Sequence, residues 1–451
     1  MRTNLVPTLA VVVAAVGSVC AAETTAPART PRFSDYPFEQ WAAAPERSAI
    51  RWEVHLLPPQ LSVHQRLIER IQTIVPGSEL EKRRGRGELV LLVRFEDSDG
   101  RHWRAGSRLN LVKVQQGVKS DELTFTISAF VRPGVYKVLV ALIDSKTMEH
   151  SFTRRTLRVA PLKNDPLPDA WAGLPSVEVL PVVDTPDAWS LPEVKGLLRL
   201  PAASKHANTA PRVELLVNMT PSERSLNPAG SLRRNMSVVI PALKVLSALN
   251  AENRPPSAAV MDLTRQRICL ETRNASTLDW SALGKLLTAS NPSVIDAKSL
   301  AVQSSIRDYF VREVARRAGD SGPPRWLIVL SGPLTFSKQD ETPLPQMAPD
   351  LNRHIVYLRF LSAFRGGPMG GQSTGVGAAD IEIGPPQRVR GPTPGLGTVV
   401  PMPPGRGRGD MLFPDDIEHV LKPMGAQIIV VGTPEAFRKT IAGLIAEIAA
   451  N

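Results

Sequence analysis

Apolar positions along this chain keep two different rhythms. Between residues 50 and 160 they come in short alternating runs, at 51–56, 67–75, 88–95, 109–114, 123–131, 135–143 and 153–159. Side chains of a strand point alternately to opposite faces, so an apolar residue at every second position marks a half-buried strand. Turn signals separate the runs, among them Pro76-Gly77 and Asp97-Ser98-Asp99-Gly100. About seven short strands at regular spacing predict a β-sandwich. Tyr136, in Pro133-Gly134-Val135-Tyr136, is expected as a core and corner residue of it.

From residue 212 strand runs alternate with helical ones, which predicts a mostly parallel sheet covered by helices. The strands are expected at 213–217, 258–263, 267–270, 326–330, 354–360 and 427–431. Helices are expected at 232–249, where Pro241 should kink or restart the helix, at 279–287 and at 296–317. In the last of these Val302, Ile306, Phe310 and Val314 recur every fourth residue. A closing helix has Thr433 as N-cap and Pro434 at its first position. Phe437, Ile441, Leu444, Ile445 and Ile448 form its buried face.

The chain thus reads as an α+β multidomain protein of 451 residues. Its expected parts are a leader at 1–22, a disordered segment at 23–47, the sandwich at 48–160, a Pro-rich connector at 161–210 and an α/β unit at 211–451. The connector should pack on a neighbouring sheet, with 196–200 as an extended piece of it. A Gly/Pro-rich insertion at 365–410 interrupts the α/β unit and should leave the sheet near Leu361, on the edge that carries Asn218.

Arg2 followed by the apolar run 5–19 and by Ala21-Ala22 has the form of a secretory signal. The expected location is secreted or periplasmic, with a retained anchor as the alternative. Lipid attachment at Cys20 is disfavoured by the large Val19 before it. Removing the leader leaves Cys269 alone, so no intramolecular disulfide can form. The net charge is +11, and Arg2 is the one charge in the leader, which leaves 11 − 1 = +10. Such a surface can attract anionic glycan or a membrane face. Basic residues are scattered apart from Lys82-Arg83-Arg84-Gly85-Arg86, expected as a solvated hairpin or loop. No aromatic residues interleave with them, and export argues against nucleic acid as the partner.

One motif stands at a chemically informative place. The run 213–217 ends in Asn218-Met219-Thr220-Pro221-Ser222. A buried strand followed by this loop resembles the first motif of von Willebrand factor A (VWA) domains, Asp-x-Ser-x-Ser, which holds a divalent metal. The order of elements from 212 onward resembles that family too, and implies a Rossmann-like α/β fold. Together with an immunoglobulin-like sandwich in front, the chain resembles bacterial exported VWA-related proteins. The resemblance places metal-site positions at Asn218, Thr220 and Ser222, at Ser331 in Leu330-Ser331-Gly332-Pro333, and near Ser293 or Asp296. Mg²⁺ prefers carboxylate, hydroxyl and water oxygens. Asn218 and Ser331 stand where the family has aspartates, so two negative charges are missing. The expectation is a degenerate, metal-free site whose side chains tie the loop. A Mg²⁺ site at Asn218, Thr220 and Ser222, with Asp296 bending inward, is the alternative.

No catalytic constellation accompanies it. The histidines form no metal-binding spacing. Gly371-Gln372-Ser373-Thr374-Gly375 matches a hydrolase elbow, but that elbow must join a strand to a helix, and here it lies in the insertion. Arg408-Gly409-Asp410 lies there as well. Asp415-Asp416 reads as the acidic first turn of a helix. The expected function is an exported protein-interaction or adhesion scaffold that is no enzyme, needs no cofactor and takes a protein or cell-envelope partner. A serine hydrolase using Ser373 is the remaining alternative.

Overall fold

A computed structural model describes residues 32–114, 116–180, 211–220, 228–249, 254–289, 306–319, 324–336, 352–361, 383–384 and 415–450. The leader, Ser222, Ser293, Asp296, residues 196–200, Ser373 and Arg408-Gly409-Asp410 lie outside them.

In the N-terminal half the strands are β1 (Arg47–Ser48), β2 (Glu53–Leu56), β3 (Gln60–Leu61), β4 (Leu67–Pro76) and β5 (Glu88–Glu96). They continue with β6 (His102–Asn110), β7 (Glu122–Val131), β8 (Gly134–Asp144), β9 (His150–Val159) and β10 (Val177–Val179). They form two antiparallel sheets, ordered β1-β9-β8-β5-β6 and β10-β7-β4-β2, with β3 also on β4. Leu89, Leu91, Val93 and Phe95 of the first sheet share one core with Ile71, Val75, Phe125 and Ile127 of the second. Strand β5 is buried on both faces, which explains its unbroken apolar run. Its other face, Val90 and Leu92, joins Leu139, Ala141 and Ile143 under Phe38 and Trp41 of helix α1 (Phe38–Ala43).

Three local expectations change. From Arg32 onward the segment expected to be disordered is folded down, because Phe38 and Trp41 cover an apolar sheet face. The strand expected at 109–114 is β6, which ends at Asn110. Pairing across the hairpin with β5, from Glu88↔Asn110 to Glu96↔His102, overrides its polar composition. The basic cluster is only partly a loop: its first two residues end helix α2 (Gly77–Arg83), and Arg84-Gly85-Arg86 lie in the turn that leads to β5. Arg83 is buried between Glu79, Asp144 and Glu149. Tyr136 does turn a corner, donating its hydroxyl to the Arg132 carbonyl at 2.8 Å.

In the C-terminal half the strands are β11 (Arg212–Asn218), β12 (Ser257–Asp262), β13 (Arg267–Thr272), β14 (Arg325–Ser331), β15 (Arg353–Phe360), the short β16 (Ile383–Gly384) and β17 (Gln427–Val431). The helices are α3 (Pro228–Leu246), α4 (Trp280–Ala289), α5 (Ile306–Ala318), α6 (Asp416–Leu421) and α7 (Pro434–Ala450). Pro241 lies inside α3 without ending it, so the helix does not restart there. The sheet order is β13-β12-β11-β14-β15-β17, parallel throughout except for β13. Alternate residues serve its two faces. Leu215, Val217, Ile328 and Leu330 pack with α3, α4 and α7. Leu216, Leu327, Val329 and Tyr357 pack with α5 and α6. Strand order reverses between β11 and β14, the switch point at which open α/β sheets bind ligands beyond their carboxyl ends.

The two halves share one continuous apolar core. At their seam Gln65, in the left-handed region at φ 58°, offers its carbonyl to the Trp171 indole at 2.7 Å. Its side chain donates to the Pro434 carbonyl at 3.0 Å. Arg438 of α7 is buried there, stacked 4.8 Å over Trp171. Among the described residues no helix is long and apolar enough to cross a membrane.

Candidate functional site

Parallel register sets the site. Strands β11 and β14 run with Val217 opposite Leu330, so the next residues, Asn218 and Ser331, leave the sheet side by side. Asn218 Nδ2 donates to Ser331 Oγ at 3.0 Å. Ser331 Oγ donates to the Gly332 carbonyl at 2.7 Å. The Asn218 Oδ1 accepts the Thr220 N–H at 2.9 Å, closing an Asx turn. Thr220 Oγ1 accepts the Leu263 N–H at 2.8 Å and ties the loop to the end of β12. Asn218, Thr220 and Ser331 are 1%, 4% and 1% exposed. Both polar ends of the Asn218 amide and both hydroxyls are therefore engaged within the protein.

Gly332 lets the neighbouring layers close on this edge. A Cβ there would come within 2.8 Å of Asn235 Nδ2 on α3. Its carbonyl also accepts the Tyr357 hydroxyl at 3.3 Å. Tyr357 leads to Asp415, which the sequence places in the acidic first turn of a helix. Asp415 caps α6 and is almost completely buried. Its carboxylate accepts from Tyr357 at 2.9 Å and from the Leu334 N–H at 3.1 Å. Arg359 Nε lies 3.2 Å away and Arg359 Nη1 donates to Glu418 at 3.0 Å. Asp416 accepts the Phe336 N–H at 2.5 Å.

Electrostatics agree with a closed edge. Burial pushes the Asp415 carboxyl above its usual range, a rise that the Leu334 N–H, Tyr357 and Arg359 only partly offset. Burial and the charge of Asp415 raise Tyr357 well above the ordinary phenol value, which keeps it the donor. A network runs from Asn218 through Ser331, Gly332 and Tyr357 to Asp415 and Arg359. It joins the loops after β11 and β14 to the start of α6. Within it Asn218, Ser331, Tyr357 and Asp415 bond to one another or to the loop backbone, which holds these loops together.

The structure brings Asn218, Thr220 and Ser331 together, whereas Ser222 and Asp296 lie outside the described residues. Among the described residues no group of three or more His, Cys, Asp or Glu side chains could hold a metal ion. A metal bound by Asn218 and Ser331 would have to break their mutual bond. Sequence reasoning missed Asp415 and Arg359. The available signal for Arg359 was its phase, since it falls on the same face of β15 as the buried Ile355 and Tyr357.

No protein-family model matches the chain, and no curated protein matches it. Two solved structures of a glycosyl hydrolase family 2 member from Bacteroides cellulosilyticus align with it at 12% and 11% identity and a TM-score of 0.17 each. The alignments cover 62% and 68% of this chain. They span only about a third of those enzymes, 35% and 37%. At that TM-score the likeness carries nothing about fold or activity.

Proposed function

We propose that this chain is an exported, non-enzymatic binding scaffold. In this reading an immunoglobulin-like sandwich is joined to a VWA-type unit that works without a metal and recognises a protein or cell-envelope partner through its surfaces. The observation that carries the reading is the Asn218–Ser331 hydrogen bond at the switch point. In a VWA domain that place belongs to a cation held by carboxylates; here an amide and a hydroxyl satisfy each other. The strand order, with its reversal between β11 and β14, supports the VWA-type assignment. The Tyr136 corner supports the immunoglobulin-like one.

Calorimetric titration of the full chain with MgCl₂ and with MnCl₂ tests the reading. No binding heat and an unchanged melting temperature are expected. Binding at millimolar concentration or tighter, abolished by Ser222→Ala, would replace it with a metal-dependent adhesion module.

A further inference from the structure

The chain passes from the first sheet to the second along one flank of the sandwich. Strand β1 pairs with β9 at Arg47↔Phe152 and Ser48↔Ser151, and a few residues later β2 pairs with β4. Beside this crossing lies a groove of about 440 Å³, lined from β1, β2 and β9. Small-molecule sites commonly enclose about 300–1,000 Å³. Trp52 and Val54 alternate onto the inter-sheet face, are partly buried against the main core, and line the groove. Thr73 of β4 is in register with Val54, so its side chain shares that face. It is fully buried, and its hydroxyl has no hydrogen-bond partner among the described residues. The layer between the sheets, apolar elsewhere, is therefore polar on this flank.

The polar wall of the groove is held in place. Glu46 Oε1 accepts the Arg154 N–H at 2.6 Å and the Thr153 hydroxyl at 3.2 Å. Thr153 is buried, and its Oγ1 accepts from Arg155 Nη1 at 2.5 Å. Arg155 Nη1 also donates to the Arg154 carbonyl at 2.8 Å. The Glu46 carboxylate and the Arg155 guanidinium are thus fixed, yet each side chain is about half-exposed. On β2, His55 Nε2 lies 3.2 Å from Glu53 Oε2.

We propose that this groove binds a neutral oligosaccharide, with Trp52 as the platform for a sugar ring and Glu46 and Arg155 as its polar contacts. Among the lining residues Glu46 and Glu53 balance Arg47 and Arg155, in a chain whose net charge is +11. A strongly charged ligand gains nothing net from such a wall. A neutral polyhydroxyl ligand uses both kinds of group, its hydroxyls donating to carboxylates and accepting from guanidinium. The indole adds a flat apolar surface for the C–H face of a sugar ring. An extended peptide is disfavoured, because strand addition needs free main-chain groups and those at the crossing are taken. Ile50 N–H donates to Ser151 Oγ at 2.8 Å, and Ser151 Oγ donates to the Ile50 carbonyl at 2.7 Å. The Arg154 N–H is held by Glu46. The proposal deepens the scaffold reading and rests on it, since it names the chemistry of the cell-envelope partner.

Calorimetric titration of the full chain with cellohexaose, mannohexaose and chitohexaose, neutral hexamers of glucose, mannose and N-acetylglucosamine, tests this. At least one should bind with a Kd of about 1 mM or tighter. Trp52→Ala should weaken that binding about tenfold. Because Trp52 also packs on the core, Arg155→Ala is the second variant; it should keep the native melting temperature and lose about fivefold in affinity. No heat with any of the three hexamers overturns the proposal, as does unchanged affinity in Arg155→Ala. Tighter binding of the anionic hexamer of galacturonic acid, fading as salt rises, would make the groove an anion site and overturn it too. Excess EDTA in these titrations keeps cations away from the switch point. Heat with MgCl₂ in the separate metal titration would then count against the metal-free reading alone, and silence with the saccharides against this groove alone.

Discussion

Arg438 holds Asp165 with two parallel bonds, Nε to Oδ1 at 2.5 Å and Nη2 to Oδ2 at 2.8 Å. The pair joins the last helix to the segment that leaves the sandwich, and Arg438 Nη2 also donates to the Leu167 carbonyl at 2.8 Å. Burial alone would raise the Asp165 carboxyl; the bonds from Arg438 and the Leu167 N–H outweigh it and hold it below its usual value.

Arg438→Met should therefore cost about 3 kcal/mol, because it strands a largely buried carboxylate. Arg438→Met combined with Asp165→Leu should recover most of that loss. Urea unfolding of the two single variants and the double variant measures the coupling. The pair's contribution is present above the ordinary Asp value of 3.8 and fades as pH falls through the lowered folded value.

Glu69 provides a pH dependence of opposite sign. It points into the core between Leu67 and Ile71, fully buried, and neither carboxylate oxygen has a hydrogen-bond partner among the described residues. Burial pushes it up to about 8 from 4.5, slightly offset by Arg70. The unfolded chain releases this proton from 4.5 upward while the folded chain keeps it until about 8. Stability should thus fall as pH rises through that window, by up to about 1.4 kcal/mol per unit. Glu69→Gln should flatten the slope of melting temperature against pH. An unchanged slope would place the titration elsewhere.

Asn218→Asp puts back the charge that the VWA motif has at this position. It also removes the donor to Ser331 and sets two acceptors facing each other in a site 1% exposed. A loss of about 1–3 kcal/mol follows from the unmatched groups. Added Mg²⁺ should leave the melting temperature of this variant unchanged; recovery by Mg²⁺ but not by Na⁺ would contradict the metal-free reading.

Tyr357→Phe deletes one hydroxyl that serves both Gly332 and Asp415. About 1 kcal/mol should be lost. Asp415→Ala should cost more, since it also leaves the Leu334 N–H unpaired and Arg359 without one of its two carboxylates. Chemical denaturation ranks the two, and the reverse order would show that the network does not centre on Asp415.

Much of the framework was readable because burial imposes period. Every strand of the parallel sheet and the buried face of α7 followed from apolar phase alone, whereas the neighbouring positions of Asn218 and Ser331 were implied only by the resemblance to VWA domains. What escaped were polar residues whose partners are far away in sequence. Arg438 lies in phase with Ile441 and Ile445, and Glu69 in phase with Leu67 and Ile71, yet phase reveals only that a charge is buried. Arg438 meets Asp165 across 273 positions and Arg359 meets Glu418 across 59. Strand β6 was misplaced for a related reason: its residues are mostly polar, and only pairing with β5 makes them a strand.

The packing of α1 has a consequence for biogenesis. Phe38 and Trp41 leave the ribosome well before Leu139, Ala141 and Ile143, the surface they later cover. Until that early segment folds back, the emerging sheet presents an oily flank, the kind of surface on which a chaperone would act. A protease trimming the N-terminus past Trp41 would expose the same flank for good.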